Sequence, residues 1–309
     1  MSISRVLIAN RGEIAVRIIR ACQALGVESV AAVSEADRES LPARMAGRVV
    51  CIGPARSADS YLRVDAVVAA ALGTGSDAVH PGYGFLAEEP GLAEACAEHG
   101  VRFIGPRAES IRQMGNKLQA REIVGEYGIP VVPGSTRVRG LQEASAVAEE
   151  IGFPVLFKAA AGGGGRGIKI VKGSRELKTA FETAAAEARA AFGDETLYIE
   201  RYIANARHIE VQVLGDRFGN VVHVGERDCS LQRRYQKVVE EAPASCIPDR
   251  LRKEIRKAAV TIAKEMRYEN AGTVEFIVDQ DSGKFYFLEV NARIQVEHPV
   301  TELVTGRDL

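Results

Sequence analysis

The chain has 309 residues, enough for two or three domains of ordinary size. Its 40 basic residues nearly balance its 41 acidic ones, so neither a nucleic-acid partner nor an anionic membrane surface is expected. The five cysteines are scattered without a CxxC pair, which argues against a disulfide framework and a structural zinc site. We recognise no signal peptide and no membrane span, and we expect a cytoplasmic protein, or one from an organelle matrix after loss of a targeting peptide.

Short apolar strands alternate with amphipathic helices through the first hundred residues. Strands are expected at 6–9, 30–33, 48–52, 78–80 and 101–104. This alternation predicts a parallel, doubly wound sheet that binds ligands beyond the carboxyl ends of its strands. Gly12 stands alone in the first turn, and the missing G-x-G-x-x-G pattern argues against a dehydrogenase. The segment 80–86 is either a tight turn or a wall for a second substrate, which would involve His80 and Tyr83.

A glycine-rich loop follows in a small α+β unit, after a helical connector at 109–128. Residues 162–167 read GGGGRG and lie between strands expected at 154–159 and 168–171. A strand follows the loop instead of a helix, so the pattern fits neither a Rossmann turn nor a P-loop. The N–H groups of such a loop can close over phosphates, and Lys158 on the preceding strand would meet their charge. The alternative is a flexible linker.

Two hairpins are predicted in the last third of the chain. The first joins 208–214 to 220–226 and leads into a polar, basic loop at 226–237, which is either a solvated surface or an anion site. The second follows a helix at 249–266 and brings Glu275 and Glu289 onto one face. With the Asn291 amide, these carboxylates predict an oxygen-only site that holds magnesium through substrate phosphates. The alternative is a pair of unrelated surface acids.

A strictly alternating stretch at 287–299 dominates the end of the chain. As extended backbone it would point its polar side chains to one face and its apolar side chains to the other. The polar set is Glu289, Asn291, Arg293, Gln295 and Glu297, and the apolar set is Leu288, Val290, Ala292, Ile294 and Val296. We predict a strand whose polar face lines a cavity, with a charged edge strand as the alternative.

Together these features resemble the biotin carboxylase family of the ATP-grasp superfamily over essentially all 309 residues. The most specific stretches are IANRGEIA at 8–15, HPGYGFL at 80–86, QKVVEEAP at 236–243 and RIQVEHPVTE at 293–302. The resemblance implies a mixed α/β and α+β fold, with a doubly wound pre-ATP-grasp sheet before an ATP-grasp fold with a glycine-rich lid. The implied units are an N-terminal domain at 1–115, a helical connector at 116–130, a lid domain at 131–205 and a catalytic domain at 206–309. The family continues beyond Leu309, so a C-terminally truncated, incomplete last domain is expected.

The resemblance also implies site residues. Those implied for ATP are Lys117, Lys158, Gly164, Gly165, Glu200 at the adenine side, His208 and Gln232. Tyr235, where many relatives have histidine, would be a weak nucleotide contact. Those implied for Mg²⁺ or Mn²⁺ are Glu275, Glu289 and Asn291. Those implied for bicarbonate are Lys237, Arg293, Gln295 and Val296. Glu297 would be the general base, and Arg293 would also stabilise the enolate-like ureido group of biotin.

The implied activity is the first half-reaction of a biotin-dependent carboxylase. Bicarbonate and ATP would give carboxyphosphate and ADP, and biotin would then be carboxylated. Biotin would arrive on a carrier protein or domain, since no Met-Lys-Met site occurs in the sequence. A carboxyltransferase component and, for the full-length form, a homodimer are the other implied partners. The acceptor could be acetyl-CoA, propionyl-CoA, pyruvate or another acid.

Two other functions stay open at this point. One is a different ATP-grasp ligase with an amino acid or peptide substrate. The other is a nucleotide-binding or assembly module that is catalytically inactive through truncation.

Overall fold

The computed structural model describes residues 2–135, 137–138, 140–160, 168–234 and 236–309, except for the side chain of Phe192. The predicted glycine loop with Gly164 and Gly165, and also Tyr235, lie outside the described residues. Within the described ranges, no helix combines the length and the apolar character that a membrane span requires.

The N-terminal part is built on five parallel strands in the order β3-β2-β1-β4-β5. The strands are β1 (Arg5–Ile8), β2 (Glu28–Val33), β3 (Arg48–Cys51), β4 (Ala78–His80) and β5 (Arg102–Phe103). The helices are α1 (Gly12–Ala24), α2 (Leu41–Met45), α3 (Val64–Thr74) and α4 (Pro90–Glu98). Leu7 is buried in one core cluster, and its neighbours Val6 and Ile8 are buried in another, because alternate side chains point to opposite faces. The expected doubly wound sheet is confirmed.

The strand order reverses between β1 and β4, and one asparagine joins the loops that follow them. Asn10 Nδ2 donates to the carbonyl oxygens of Pro81 at 2.7 Å and Tyr83 at 2.8 Å. The segment 80–86 is thereby held at the carboxyl edge of the sheet, where open α/β sheets bind their ligands.

A smaller sheet follows two helices, α5 (Ala108–Gly115) and α6 (Lys117–Glu126). Its antiparallel strands lie in the order β7-β6-β8 and are β6 (Val155–Ala159), β7 (Lys169–Val171) and β8 (Leu197–Arg201). The helices α7 (Leu141–Ile151) and α8 (Ser174–Phe192) pack against it through small side chains such as Ala148 and Ala184. Phe157 belongs to this core, so its strand neighbour Lys158 points to the opposite face.

The last sheet is antiparallel, with five strands in the order β11-β10-β9-β12-β13. They are β9 (Ala206–Gly215), β10 (Val221–Arg233), β11 (Gln236–Glu241), β12 (Asn270–Asp279) and β13 (Lys284–Asn291). Helix α9 (Asp249–Glu265) shares a core with Ile209, Val211, Val274 and Phe276 from one face of this sheet. The opposite face is left for the alternate, polar residues, and α10 (His298–Thr305) follows the last strand.

The prediction of a polar loop at 226–237 is wrong. Strand β10 continues to Arg233, and β11 begins at Gln236 after a short turn. The side chain of Arg227 is fully buried instead of solvated. The charge of Arg227 is compensated by residues that are distant in sequence. The many charged neighbours in the sequence therefore led to a wrong prediction of a solvent-exposed side chain.

The prediction of one continuous strand at 287–299 is wrong beyond Asn291. Residues 292–297 form an irregular turn, and helix α10 begins at His298, with Pro299 in its first turn where proline is tolerated. Val296, expected on the buried face, is 60% exposed, whereas Gln295 is buried. A turn, and not a straight strip, therefore positions the last polar residues.

Candidate active site

A row of charged side chains crosses four strands of the last sheet. Arg227 on β10 is opposite Glu210 on β9. Glu210 is in turn opposite Glu275 on β12, and Glu275 is opposite Glu289 on β13. Directly opposite residues have their Cβ atoms about 5 Å apart, so their side chains interact. The strand register therefore assembles one polar surface from four separate segments of the chain.

Lys237 on β11 binds two carboxylates of this row and a third, Glu297, from the turn before α10. Its Nζ donates to Glu275 Oε1 at 2.9 Å and to Glu297 Oε1 at 2.6 Å, and it also bonds to Glu210 Oε2. Burial lowers the pKa of Lys237, but the three carboxylates raise it by a larger amount. The net pKa therefore lies above its ordinary value. The ammonium group therefore remains charged at neutral pH.

Glu275 is the acceptor at the centre of the site. Its Oε1 also accepts from Asn291 Nδ2 and Gln295 Nε2, each at 2.9 Å. Its Oε2 lies 2.9 Å from His208 Nε2. Burial raises the pKa of Glu275, but His208 and Lys237 lower it by more, so the pKa lies well below its ordinary value. The side chain is therefore ionised, as a metal ligand must be.

The predicted magnesium ligands are close together and carry the right atoms. Glu275 and Glu289 are cross-strand neighbours, and Asn291 contacts Glu275 directly. Carboxylate and amide oxygens are the donors that Mg²⁺ prefers, so these residues fit such an ion. His208, Glu210 and Glu275 also have ligand atoms within 4.8 Å of one another, but the imidazole makes that set less suited to magnesium.

Two candidate ATP-binding lysines pair with carboxylates. Lys117 Nζ lies 2.8 Å from Glu289 Oε2. Burial lowers the pKa of Lys117, but Glu289 and more distant carboxylates raise it by more, so its net pKa is above the ordinary value. Lys158 pairs with Glu200, which is buried. Both ammonium groups are therefore held near acids that a polyphosphate could replace.

Among the other nucleotide candidates, His208 and Gln232 lie within the described residues and contact each other. His208 Nδ1 is 3.2 Å from Gln232 Nε2, which links β9 to β10. Burial lowers the pKa of His208, but Glu275 raises it by more, so the net pKa is above its ordinary value. The predicted contacts Gly164, Gly165 and Tyr235 lie outside the described residues.

Arg293 is oriented by an acid from the N-terminal part of the chain, Glu88. Its Nε donates to Glu88 Oε2 at 2.9 Å, and its Nη2 donates to Asn291 Oδ1 at 3.0 Å. The other oxygen of Glu88 accepts from the Ala292 N–H at 2.9 Å. Glu88 therefore holds both the arginine and the turn that carries it, and joins the loop after β4 to the polar face of the last sheet.

Comparison with known proteins identifies the family. The description "Biotin carboxylase, N-terminal domain" matches residues 2–111, and "Carbamoyl-phosphate synthase L chain, ATP binding domain" matches residues 116–309. Biotin carboxylase 1 of Bacillus subtilis is 53% identical over 308 residues, which cover 99% of this chain and 68% of that protein. The chain belongs to the biotin carboxylase family.

Solved structures agree with this assignment. The biotin carboxylase–beta-gamma-ATP complex from Campylobacter jejuni matches with a TM-score of 0.96 at 49% identity, covering 99% of this chain and 69% of that one. The biotin carboxylase domain dimer of Hydrogenobacter thermophilus 2-oxoglutarate carboxylase, in complex with magnesium ADP, ADP and bicarbonate, matches with a TM-score of 0.94 at 49% identity, covering 99% and 68%. The expectation of an ATP-dependent ligase of the biotin carboxylase family, with an ATP-grasp fold, is confirmed.

Several residues around this biotin carboxylase site were not predicted from the sequence. Glu210 and Gln212 alternate with valines on β9, and this period of two is a signal that could have placed them beside His208. Arg121, which binds the buried Glu200 together with Lys158, gives no local signal. The same holds for Glu88 and Arg227, because their partners are distant in sequence.

The predicted substrate residues His80 and Tyr83 lie at the carboxyl edge of the first sheet. His80 borders a largely apolar cavity of ≈ 210 Å³ that Ile14, Arg17 and Ile294 also line. Its Nδ1 accepts from the Gly82 N–H at 3.0 Å, which requires this nitrogen to be unprotonated. Tyr83 Oη is buried without a hydrogen-bond partner among the described residues.

The free energy of unfolding should decrease in mild acid because of His80. Burial first, and then the charges of Arg17 and His298, lower the pKa of His80 to about 4. A histidine in the unfolded chain has a pKa of about 6.5. Between pH 6.5 and pH 4, the proton therefore binds to the unfolded chain in preference to the folded one, and the folded state becomes less stable as the pH falls. From pH 7 to pH 5, we expect the free energy of unfolding, measured by urea titration, to decrease by about 2 kcal/mol more in wild type than in His80→Asn. Equal losses in the two proteins would contradict this expectation.

Proposed function

We propose that this chain carboxylates biotin with ATP and bicarbonate at the polar face of the last sheet, around Lys237. The observation that carries the proposal is the convergence of Lys237, Glu275 and Glu297 beside Gln295. These groups come from β11, β12 and the turn before α10. The Lys237 ammonium group is held among carboxylates here, which suits binding of an anionic substrate next to a proton acceptor.

In this proposal, ATP is bound between the small sheet and the last sheet. Lys158 and Glu200 would bind it from the small sheet, and Lys117, His208 and Gln232 from the opposite side, with Gly164, Gly165 and Tyr235 as further contacts. Lys117 pairs with Glu289, and Lys158 pairs with Glu200. These pairs support ATP binding, because each ammonium group is held next to acidic oxygens that phosphate oxygens could replace. Glu275, Glu289 and Asn291 would hold Mg²⁺ or Mn²⁺, which neutralises phosphate charge when bound.

Bicarbonate would bind through Lys237, Arg293, Gln295 and the backbone at Val296. Glu297 Oε1, 2.6 Å from Lys237 Nζ, would accept the bicarbonate proton, so that a bicarbonate oxygen can attack the γ-phosphorus and release ADP. The products of this step are carboxyphosphate and ADP. Carboxyphosphate would then break its bond between the carboxyl carbon and the phosphate oxygen, giving CO₂ and phosphate. The released phosphate would take the proton of the biotin ureido nitrogen, and Arg293 would stabilise the resulting enolate-like ureido group while that nitrogen forms its bond to CO₂. His80 and Tyr83 would border the biotin. Tyr83 Oη is buried and has no hydrogen-bond partner within the described ranges, which supports a ligand there.

The partners follow from the reaction. Biotin would come from a carrier protein or domain, and a carboxyltransferase component would use the carboxybiotin. A homodimer is proposed because the related Hydrogenobacter domain is a dimer.

We propose the cytoplasm as the location, which five unpaired cysteines support. The proposed domains are 1–115, 131–205 and 206–309 with a connector at 116–130, and the three sheets fall within these ranges.

The test is ADP release by this chain with magnesium and ATP. We expect release to depend on bicarbonate and to increase when free biotin is added. ATP binding without bicarbonate-dependent release would favour a nucleotide-binding module, and release stimulated by an amino acid would favour another ATP-grasp ligase. Either result would contradict the proposal.

A further inference from the structure

Arg227 is the most completely bonded buried cation in the described part of the last sheet. Its side chain is 0% exposed. Its Nε donates to Glu210 Oε1 at 2.6 Å, and its Nη1 donates to Gln212 Oε1 at 2.9 Å and to Thr301 Oγ1 at 2.7 Å. Its Nη2 donates to Gln295 Oε1 at 3.1 Å and to Thr273 Oγ1 at 3.4 Å. A guanidinium has five N–H groups, and all five have side-chain acceptors here.

Two of these acceptors belong to residues that contact the site directly. Glu210 uses one oxygen for Arg227 and the other for Lys237. Gln295 uses its oxygen for Arg227 and its Nε2 for Glu275, at 2.9 Å. Arg227 therefore determines which atoms of Glu210 and Gln295 are directed to Lys237 and Glu275, although its own hydrogen bonds described above reach neither of these two residues.

We propose that Arg227 is a positioning residue that fixes Gln295 and the Glu210–Lys237 pair in the orientation that binds bicarbonate. This inference deepens the proposed function and rests on it. Through Thr301, the same guanidinium also ties helix α10 to the sheet, and α10 begins directly after Glu297. One planar group with five fixed donors thus sets the relative positions of β9, β12, the turn at 292–297 and α10.

A purely stabilising role would look different, and the same sheet provides an example. Glu226 on β10 is buried and binds Arg252 and Arg256 of α9. None of these three side chains contacts Lys237, Glu275 or Gln295 in the bonds described above. Arg256 therefore serves as a matched control, because its replacement breaks an acid–arginine contact without reaching the site.

The first test replaces Arg227 by lysine, which keeps the charge but has three donors on a single nitrogen. At least two of the five bonds are lost, so Gln295 and Glu210 are free to turn. We expect kcat/KM for bicarbonate to fall about 10- to 100-fold, while KM for ATP changes by less than about threefold. Rates are expressed per folded site, counted by ATP binding. Arg256→Lys should leave both parameters within about threefold.

A mutant cycle separates positioning from general loss of packing. Arg227 acts in part through Gln295 and in part through the Glu210–Lys237 pair, so Arg227→Lys combined with Gln295→Ala should lose clearly less activity toward bicarbonate than the product of the two single losses. Multiplied losses in the double variant would overturn the proposal. An equal rise in KM for ATP and for bicarbonate in Arg227→Lys would overturn it as well.

Failure of the proposed function has a different signature, because wild type itself would then show no bicarbonate-dependent ADP release. The positioning claim is still decided by a crystal structure of Arg227→Lys. We expect Gln295 Nε2 to move out of hydrogen-bond distance of Glu275 Oε1. A side chain that keeps its wild-type position would refute the positioning role, whatever the activity.

Discussion

Glu297→Gln is expected to lower kcat for bicarbonate-dependent ADP release by about 10²- to 10⁴-fold, the usual contribution of a general base. The amide has nearly the same shape and can still accept a hydrogen bond from Lys237, but it cannot take the bicarbonate proton. ATP binds through other residues in our proposal, so the dissociation constant for ATP should change by less than about threefold. Steady-state ADP release and equilibrium ATP binding measure the two quantities.

The matched control is Glu254→Gln on the outer face of α9. Glu254 also bonds to a basic side chain, Arg250 at 2.9 Å, but it is exposed and outside the site. Its replacement should leave ADP release unchanged, because exposed ion pairs contribute little. Glu297 would lose its assignment as the base if Glu297→Gln kept more than about a tenth of wild-type turnover.

Glu275→Gln is expected to raise the magnesium concentration needed for half-maximal ADP release at least about tenfold, and to lower kcat about 10²- to 10³-fold. The pKa of Glu275 is held well below its ordinary value, so in our proposal the wild-type side chain would offer a bound metal a full negative charge. The amide removes that charge. It also weakens the compensation of Lys237, whose Nζ lies 2.9 Å from Glu275 Oε1. A magnesium titration of ADP release at saturating bicarbonate measures both effects.

Glu226→Gln separates the metal effect from the loss of a buried carboxylate. Glu226 lies on the same sheet and is equally enclosed, with Arg252 Nε at 2.6 Å. This variant should be less stable than wild type, because Arg252 and Arg256 lose their charged partner. Its magnesium dependence should nevertheless match that of wild type. A similar shift in both variants would show that Glu275 acts through folding and not through the metal.

Most elements of the fold could be predicted from local patterns. The alternation of strands and helices before residue 105 predicted the parallel sheet, and the hairpin at 273–290 predicted the neighbouring positions of Glu275 and Glu289, which the register confirms. The errors fall where polar residues are buried. Arg227 lies in a run that local composition marks as solvated, yet its five acceptors come from segments up to 74 residues away. No window of neighbouring residues contains that information.

The family, the order of most elements and the candidate reactive groups could be predicted from local features, because apolar periodicity and the motifs at 236–243 and 293–302 are local properties of the chain. Which charges meet, in contrast, depends on how the strands pair. The registers of β10, β9, β12 and β13 align Arg227, Glu210, Glu275 and Glu289 in one row, and Lys237 then compensates acids from three segments. A shift of one residue in any strand would turn its charged side chain into the apolar core, so the burial of the opposite face selects this register and thereby builds the site.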